Sequence, residues 1–143
     1  MMLPRTAPAA LLAALLASPA LAQHGVLLGA RDGLVELDAT GEIVWEMPWG
    51  SIHDLHVLPN GNVMTQRGRT EVVEIERTTK TVVWSYDAAT RNGNDGKAVE
   101  VHAFQPLADG TVMIAESGPS RVLVVDRLGR IQREVPLEVD RPD

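Results

Sequence analysis

HDLHVLPNGNVM (His53–Met64) returns further along the chain as HAFQPLADGTVM (His102–Met113). His53/His102, Leu58/Leu107, Gly61/Gly110, Val63/Val112 and Met64/Met113 are identical, and Asn60 and Asp109 share turn chemistry. A second element recurs three times, as VELDATGEIVW from Val35, VEIERTTKTVVW from Val73 and LVVDRLGRI from Leu123. Within it Asp38, Glu76 and Asp126 correspond, as do Gly41 and Gly129. Trp45 and Trp84 close the first two copies, while Arg133 stands at that place in the third. Self-similarity at a spacing of roughly 40–50 residues marks a repeat architecture, in which each unit covers its apolar face with a neighbour.

Each copy is read as a set of short strands. In the second copy they are IHDLHVL, VMTQR, EVVEIE and TVVWSY; in the third they are VEVHAFQPL, TVMIAE, RVLVVD and IQREVPL. Runs of Val, Ile, Leu and Thr bounded by Gly, Asn, Asp and Pro are strand signals. Asn60-Gly61 and Asp109-Gly110 suit hairpin turns, which need positive φ. Thr40-Gly41 and Leu128-Gly129 do the same between the third and fourth strands. The first copy begins late: GVLLGARDG supplies a second strand, and nothing before it resembles HDLHVL. No segment after the leader shows sustained helical periodicity. The grammar predicts an all-β, β-propeller-type fold. About three four-stranded antiparallel blades are expected, at 24–48, 51–87 and 98–139, forming an incomplete ring. One antiparallel β-sandwich is the alternative. Ten residues more separate Trp84 from His102 than Trp45 from His53. They fall in one loop, where a modular scaffold tolerates insertion.

The chain has 143 residues, of which 45% are hydrophobic and 22% charged, and it has no cysteine. That composition is ordinary for a globular domain. The missing cysteines exclude a disulfide framework, a cysteine zinc site, haem attachment and a lipid-anchor cysteine. Residues 1–22 read as a signal peptide: Arg5, an apolar run, then Ala20-Leu21-Ala22 as the cleavage site. The apolar run falls short of the ~20 residues that span a bilayer. Residues 23–143 are then one repeat domain, periplasmic or secreted and free of the membrane after cleavage. Without Arg5 it carries 12 basic against 19 acidic residues, a net charge of −7. Such a surface repels phosphate backbones, so no nucleic-acid partner is expected.

HDLHVLPNGN (53–62), paired with VEIERTTKTVVW (73–84), resembles bacterial propellers of the arylsulfotransferase and pyrroloquinoline-quinone-type repeat group. KAVEVHAFQPLADGTVMIAESGPSRVLVVDRLGRI (97–131) is similar to secreted, mostly uncharacterised members of it. The resemblance covers about Gly25 to Val139. It implies the propeller fold. It is weakly specific for function, because enzymes, cofactor binders and assembly factors share the repeat. Closed propellers have ~4–8 blades. The chain is accordingly expected to be a piece of a longer reading frame. The other readings are an arc that closes a ring by oligomerising and a degenerate stand-alone domain.

Function concentrates on variable loops held by a rigid scaffold. Strand order puts Met47–Gly50, Gln66–Glu71, Asp87–Lys97 and Ser117–Ser120 on one rim, and only tight turns on the other. The loop-rich rim is the expected binding face for a small molecule or protein. His53 and His102 occupy the same place near the start of channel-lining strands. An imidazole there can serve as base, nucleophile or ligand, or it can hydrogen-bond a neighbouring blade. Glu100, two residues from His102, shares its face as an acid–imidazole partner or a structural ion pair. His53 and His56 look like a metal pair, but their odd spacing points the rings to opposite faces of a strand. Asp54 and Trp49 are candidate ligand contacts. Arg67 and Arg69, flanking Gly68, suit an anion such as a sulfate ester. Asn92-Gly93-Asn94-Asp95-Gly96 misses the calcium-loop pattern by one residue and is read as a polar turn. Trp45 and Trp84 are read as packing between blades.

No cofactor or metal site is assigned. The leading reading is an exported binding or interaction module rather than an enzyme. The alternative, implied by the resemblance, is an arylsulfotransferase-like transferase with His102 or His53 accepting the sulfuryl group. An arc of three blades leaves an apolar face at each end, where every wet Val, Leu or Ile forfeits ~1.5–3 kcal/mol. The isolated chain is therefore expected to be marginally stable or to self-associate through its open blade edges. Analytical ultracentrifugation checks this, and a stable monomer with a sharp melt counts against it.

Overall fold

Val63 and Met64 are adjacent on one strand and face opposite ways, as strand alternation requires. Val63 joins Leu34, Val73 and Ile75 in one buried apolar cluster. Met64 joins Val72, Tyr86, Phe104, Ile114 and Leu123 in another. Their strand belongs to the middle one of three separate antiparallel sheets in the computed structural model, which describes residues 25–138. The leader, its cleavage site and residues 139–143 lie outside the described residues.

The first sheet holds β1 (Val26–Ala30), β2 (Gly33–Leu37) and β3 (Ile43–Pro48). The second holds β4 (Leu55–Val57), β5 (Val63–Arg67), β6 (Glu71–Glu76) and β7 (Thr81–Asp87). The third holds β8 (Val101–Pro106), β9 (Val112–Glu116), β10 (Arg121–Val125) and β11 (Ile131–Pro136). Strands pair in chain order within each sheet. These are propeller blades, three of them, packed face to face in an arc that does not close. The first has three strands, as GVLLGARDG implied. Three sheets with two cores between them exclude the single sandwich.

The same local chemistry shapes each blade. A bulge falls after Glu36, Glu74 and Val124, at one point of the repeat. The turn that follows is tied by a carboxylate. Asp38 accepts the amides of Thr40 and Glu42 at 2.8 and 3.1 Å. Glu76 accepts those of Thr78 and Thr79 at 3.0 and 2.6 Å. Asp126 accepts those of Leu128 and Arg130 at 2.9 and 3.0 Å. Gly41 and Gly129 take φ of 87° and 77°; the middle blade puts Lys80 at 56° in the equivalent turn.

Blades are joined by a repeated polar contact around the apolar packing. The Trp45 indole donates to the Arg77 carbonyl at 2.9 Å, and the Arg77 guanidinium pairs with Glu36 and lies 5.6 Å from the Trp45 ring centre. One blade on, Trp84 donates to the Arg127 carbonyl at 2.8 Å, and Arg127 pairs with Glu74 and lies 4.4 Å from the Trp84 ring. Cation–π contacts of this kind contribute ~0.5–2 kcal/mol each. Trp45 and Trp84 thus hold adjacent blades together. The third blade has Val124 and Arg133 in the places of the glutamate and tryptophan, and the first has Ala39 in the place of the arginine. Val26, Leu28, Val35 and Leu37 on one outer face, and Met113, Ala115, Val122 and Val124 on the other, stay wholly or partly accessible.

The long loop after β7 makes one 3-10 turn, Ala88–Thr90, capped by Asp87. It then folds back onto the third blade. Buried Glu116 accepts from Tyr86 Oη at 3.1 Å, Asn94 Nδ2 at 3.0 Å and Arg121 Nε at 2.8 Å. Asn94, read as part of a polar turn, is a buried strut whose amide also donates to the Ala88 carbonyl. Burial pushes the Tyr86 hydroxyl up to about 12, so it stays a donor at any ordinary pH. Among the described residues no helix is long and apolar enough to cross a membrane.

The turn carboxylates couple folding to acid pH. Hydrogen bonds from Thr79 and Thr78 lower Glu76 from 4.5 to about 2, and turn hydrogen bonds hold Asp38 and Asp126 below the usual range. A carboxylate depressed on folding stabilises above its unfolded value and loses that contribution as pH falls through the folded one. Thermal stability is expected to decline between pH 4.5 and about 2. The triple variant Asp38→Asn, Glu76→Gln, Asp126→Asn should start lower at pH 7 and lose less across that window, read by circular dichroism melts.

Candidate functional site

Gln66 is polar, sits near the end of an apolar strand, and is 1% exposed. Its Oε1 accepts the backbone amides of His53 at 2.7 Å and Asp54 at 3.2 Å. Its Nε2 donates to the Val101 carbonyl at 2.6 Å, and its own carbonyl accepts the Trp49 indole at 2.7 Å. One side chain therefore fastens the approach to β4, in the second blade, to the start of β8, in the third. Around it the rim is stitched by backbone bonds: Val101 donates to Arg69, Ala88 to Thr70 and Ser117 to Glu100. The loops read as one rim do meet on one rim.

The two repeat-equivalent histidines come together there. The rings of His53 and His102 lie 5.2 Å apart, edge to face, with His102 Nε2 3.5 Å from Glu100 Oε2. Ligand atoms of His53, Glu100 and His102 all lie within 4.8 Å of one another. Inner strands of adjacent blades run side by side, so equivalent positions converge. The ladder between β8 and β9 slips between Val101 and Ala103, leaving His102 as the bulged residue. Bulges re-aim a side chain in this way and are common beside functional sites. Both imidazoles are exposed and Glu100 is half-buried. Arg69 Nη2 reaches Glu100 at 2.8 Å, and this hydrogen bond, ahead of the neighbouring charges, lowers the Glu100 carboxyl. The grouping can hold a proton between carboxylate and imidazole, bind a cation, or present a mixed-charge surface.

The other candidates are placed differently. His56 lies across from this cluster's approach, where its Nε2 meets the Phe104 carbonyl at 2.9 Å and Asp54 at 3.2 Å. It is His56, not a repeat-position histidine, that bonds the neighbouring blade. Asp54 takes the Phe104 amide at 3.1 Å and its neighbour Leu55's amide at 2.9 Å, which makes it a tie between inner strands. Trp49 anchors its loop through Gln66 and packs on the core between the first two blades. Arg67 turns back on Glu71 in a two-point pair at 2.6 and 2.7 Å. With Arg69 on Glu100, each guanidinium expected to hold an anion already has a carboxylate. The tight-turn rim carries more than was expected of it. A cleft of about 500 Å³ opens there between the second and third blades, lined by Leu58, Met64, Pro106, Val112, Glu74 and Arg127.

A sequence profile of the PQQ-type repeat family described as outer membrane protein assembly factor BamB matches residues 31–133. The chain belongs to that family. Among solved structures it is similar to a protein of unknown function from Bacteroides caccae, at 13% identity and a TM-score of 0.53. That match covers 80% of this chain and 42% of the solved one, so the chain spans less than half the length of that protein. At this identity the likeness concerns the fold alone. No curated protein matches the chain. The quinone-type repeat in the resemblance is supported; the arylsulfotransferase grouping finds no match.

Gln66 is the bridging residue that the repeat hides. Its counterpart in the third blade is Ala115, and a polar residue breaking an otherwise apolar repeat position was the available signal. Gln66→Leu in this BamB-family chain strands the His53 and Asp54 amides and the Val101 carbonyl. Each buried group left unpaired costs ~1–3 kcal/mol. The midpoint of urea denaturation should fall accordingly, and an unchanged midpoint would remove Gln66 from its bridging role.

Proposed function

We propose that this chain is an exported interaction module that engages its partner through the loop-rich rim between the second and third blades. The observation that carries this reading is the gathering of exposed His53, His102 and Arg69 on a frame fastened beneath them by Gln66. A surface that is polar, mixed in charge and backed by fixed backbone suits recognition. The leader-like residues 1–22 support export to the periplasm or beyond. The family description, an outer membrane protein assembly factor, suggests a partner protein within the cell envelope. Sulfuryl transfer by His102 or His53 is the competing chemistry, and the paired state of Arg67 and Arg69 gives it no anion-binding support.

Site-specific photo-crosslinking in cells tests the rim. A photoreactive residue in place of Arg69 or Ser117 should give a discrete adduct with an envelope protein, and one in place of Asp109 or Asn60 on the opposite rim should not. Adducts from the tight-turn rim alone, or equal adducts from both, would overturn the assignment.

A further inference from the structure

We infer that His53, His102 and Glu100 form a binding site for a divalent transition-metal ion of the zinc class. The site lies on the rim named above as the binding face and rests on reading that rim as the working surface. Two imidazole nitrogens and one carboxylate oxygen, with ligand atoms all within 4.8 Å of one another, are the donors. This donor set suits zinc and its neighbours, which favour imidazole, rather than calcium or magnesium, which favour oxygen. Around a tetrahedral ion with ligands at ~2.0–2.1 Å, donor atoms stand roughly 3.3–3.5 Å apart. The His102 Nε2 to Glu100 Oε2 separation is 3.5 Å, which is already that spacing. Only His53 must close in. Its side chain is exposed and precedes β4, while its backbone amide is held by Gln66.

Both histidines being exposed, three protein donors leave at least one coordination position facing solvent. Water fills it in the free protein, and a donor atom of a docking partner can replace that water. The metal would then be part of the recognition surface rather than a structural staple. Arg69 opposes it. Its guanidinium occupies Glu100 Oε2 at 2.8 Å and adds positive charge beside the ion. The Arg69 side chain is 78% accessible, against 53% for His102 and 24% for Glu100, so it can leave. Glu100 thus chooses between an arginine and a metal. No covalent bond is made or broken: the Arg69–Glu100 ion pair gives way to coordination, and the carboxylate binds as the anion.

Isothermal titration of zinc chloride into the mature chain at pH 7 reads the site directly. A His24→Ala background removes the fourth histidine from the count. One zinc per chain is expected. His53→Ala and His102→Ala should each weaken it by more than the ~10-fold that loss of outer-shell support costs a metal site. Glu100→Gln should weaken it as well. Arg69→Ala should tighten it roughly two- to fivefold, the range of an exposed ion pair. Cobalt(II) gives a second readout, since visible absorption should appear with the parent chain and vanish with His102→Ala. Circular dichroism melts confirm that these surface variants fold. No saturable zinc binding, or binding untouched by both histidine variants, overturns the site. Rim crosslinks that survive chelation would leave the binding face standing without the metal, so the two failures are separable.

Discussion

Burial of both faces of the middle blade is the constraint on which the rest of this molecule depends. Val63, Val73 and Ile75 face one neighbour, and Met64 and Val72 face the other. Period-2 alternation makes this possible in sheets with a blade on each side. A one-residue slip of β5 against β6 would exchange the two cores, so register is strongly specified here. At the outer edge the same register places Glu36 beside Trp45 and Glu74 beside Trp84, where each pair grips the arginine of the next blade. Packing and polar contact therefore agree about how blades are set against one another. Agreement between levels of this kind favours a single arrangement.

The rim site is a consequence of that blade-to-blade setting. His53 and His102 approach because the inner strands of neighbouring blades start side by side. Gln66 then fixes the approach from below, satisfying donors and an acceptor that would otherwise be buried and unpaired. A bulge at His102 turns the second imidazole toward the first. The charged groups around it are mutually engaged, Arg69 with Glu100 and Arg67 with Glu71. The rim therefore presents histidines as its accessible chemistry and keeps its arginines occupied. The inserted loop after β7 contributes support through Asn94, whose amide donates to Glu116 at the end of β9.

Much of the architecture was legible in the residues. The paired stretches at His53 and His102, the three VELD-like elements and the Gly-containing turns pointed to three blades, the first lacking its inner strand. The loop-rich rim followed from strand order. The candidate site was legible only in part. Residue type and repeat position mark His53, Glu100 and His102, and a two-residue spacing pairs Glu100 with His102, while along its own strand His53 has only His56 for a metal partner. The structure pairs histidines across two blades instead, and it uses His56 and Asp54 as ties between inner strands.

What the sequence determined by itself is local: alternation along a strand, positive φ at a turn glycine, a carboxylate accepting amides two to four residues on. These depend on a few neighbouring dihedral angles and so repeat wherever the residues repeat. Tertiary structure alone decided which side chains from different blades share a point in space. That depends on the angle and offset between packed sheets, on a bulge that shifts one residue, and on a buried glutamine whose partners lie up to 35 positions away. No spacing in the chain encodes such a meeting, because it is made by the packing of blades and not by any one of them.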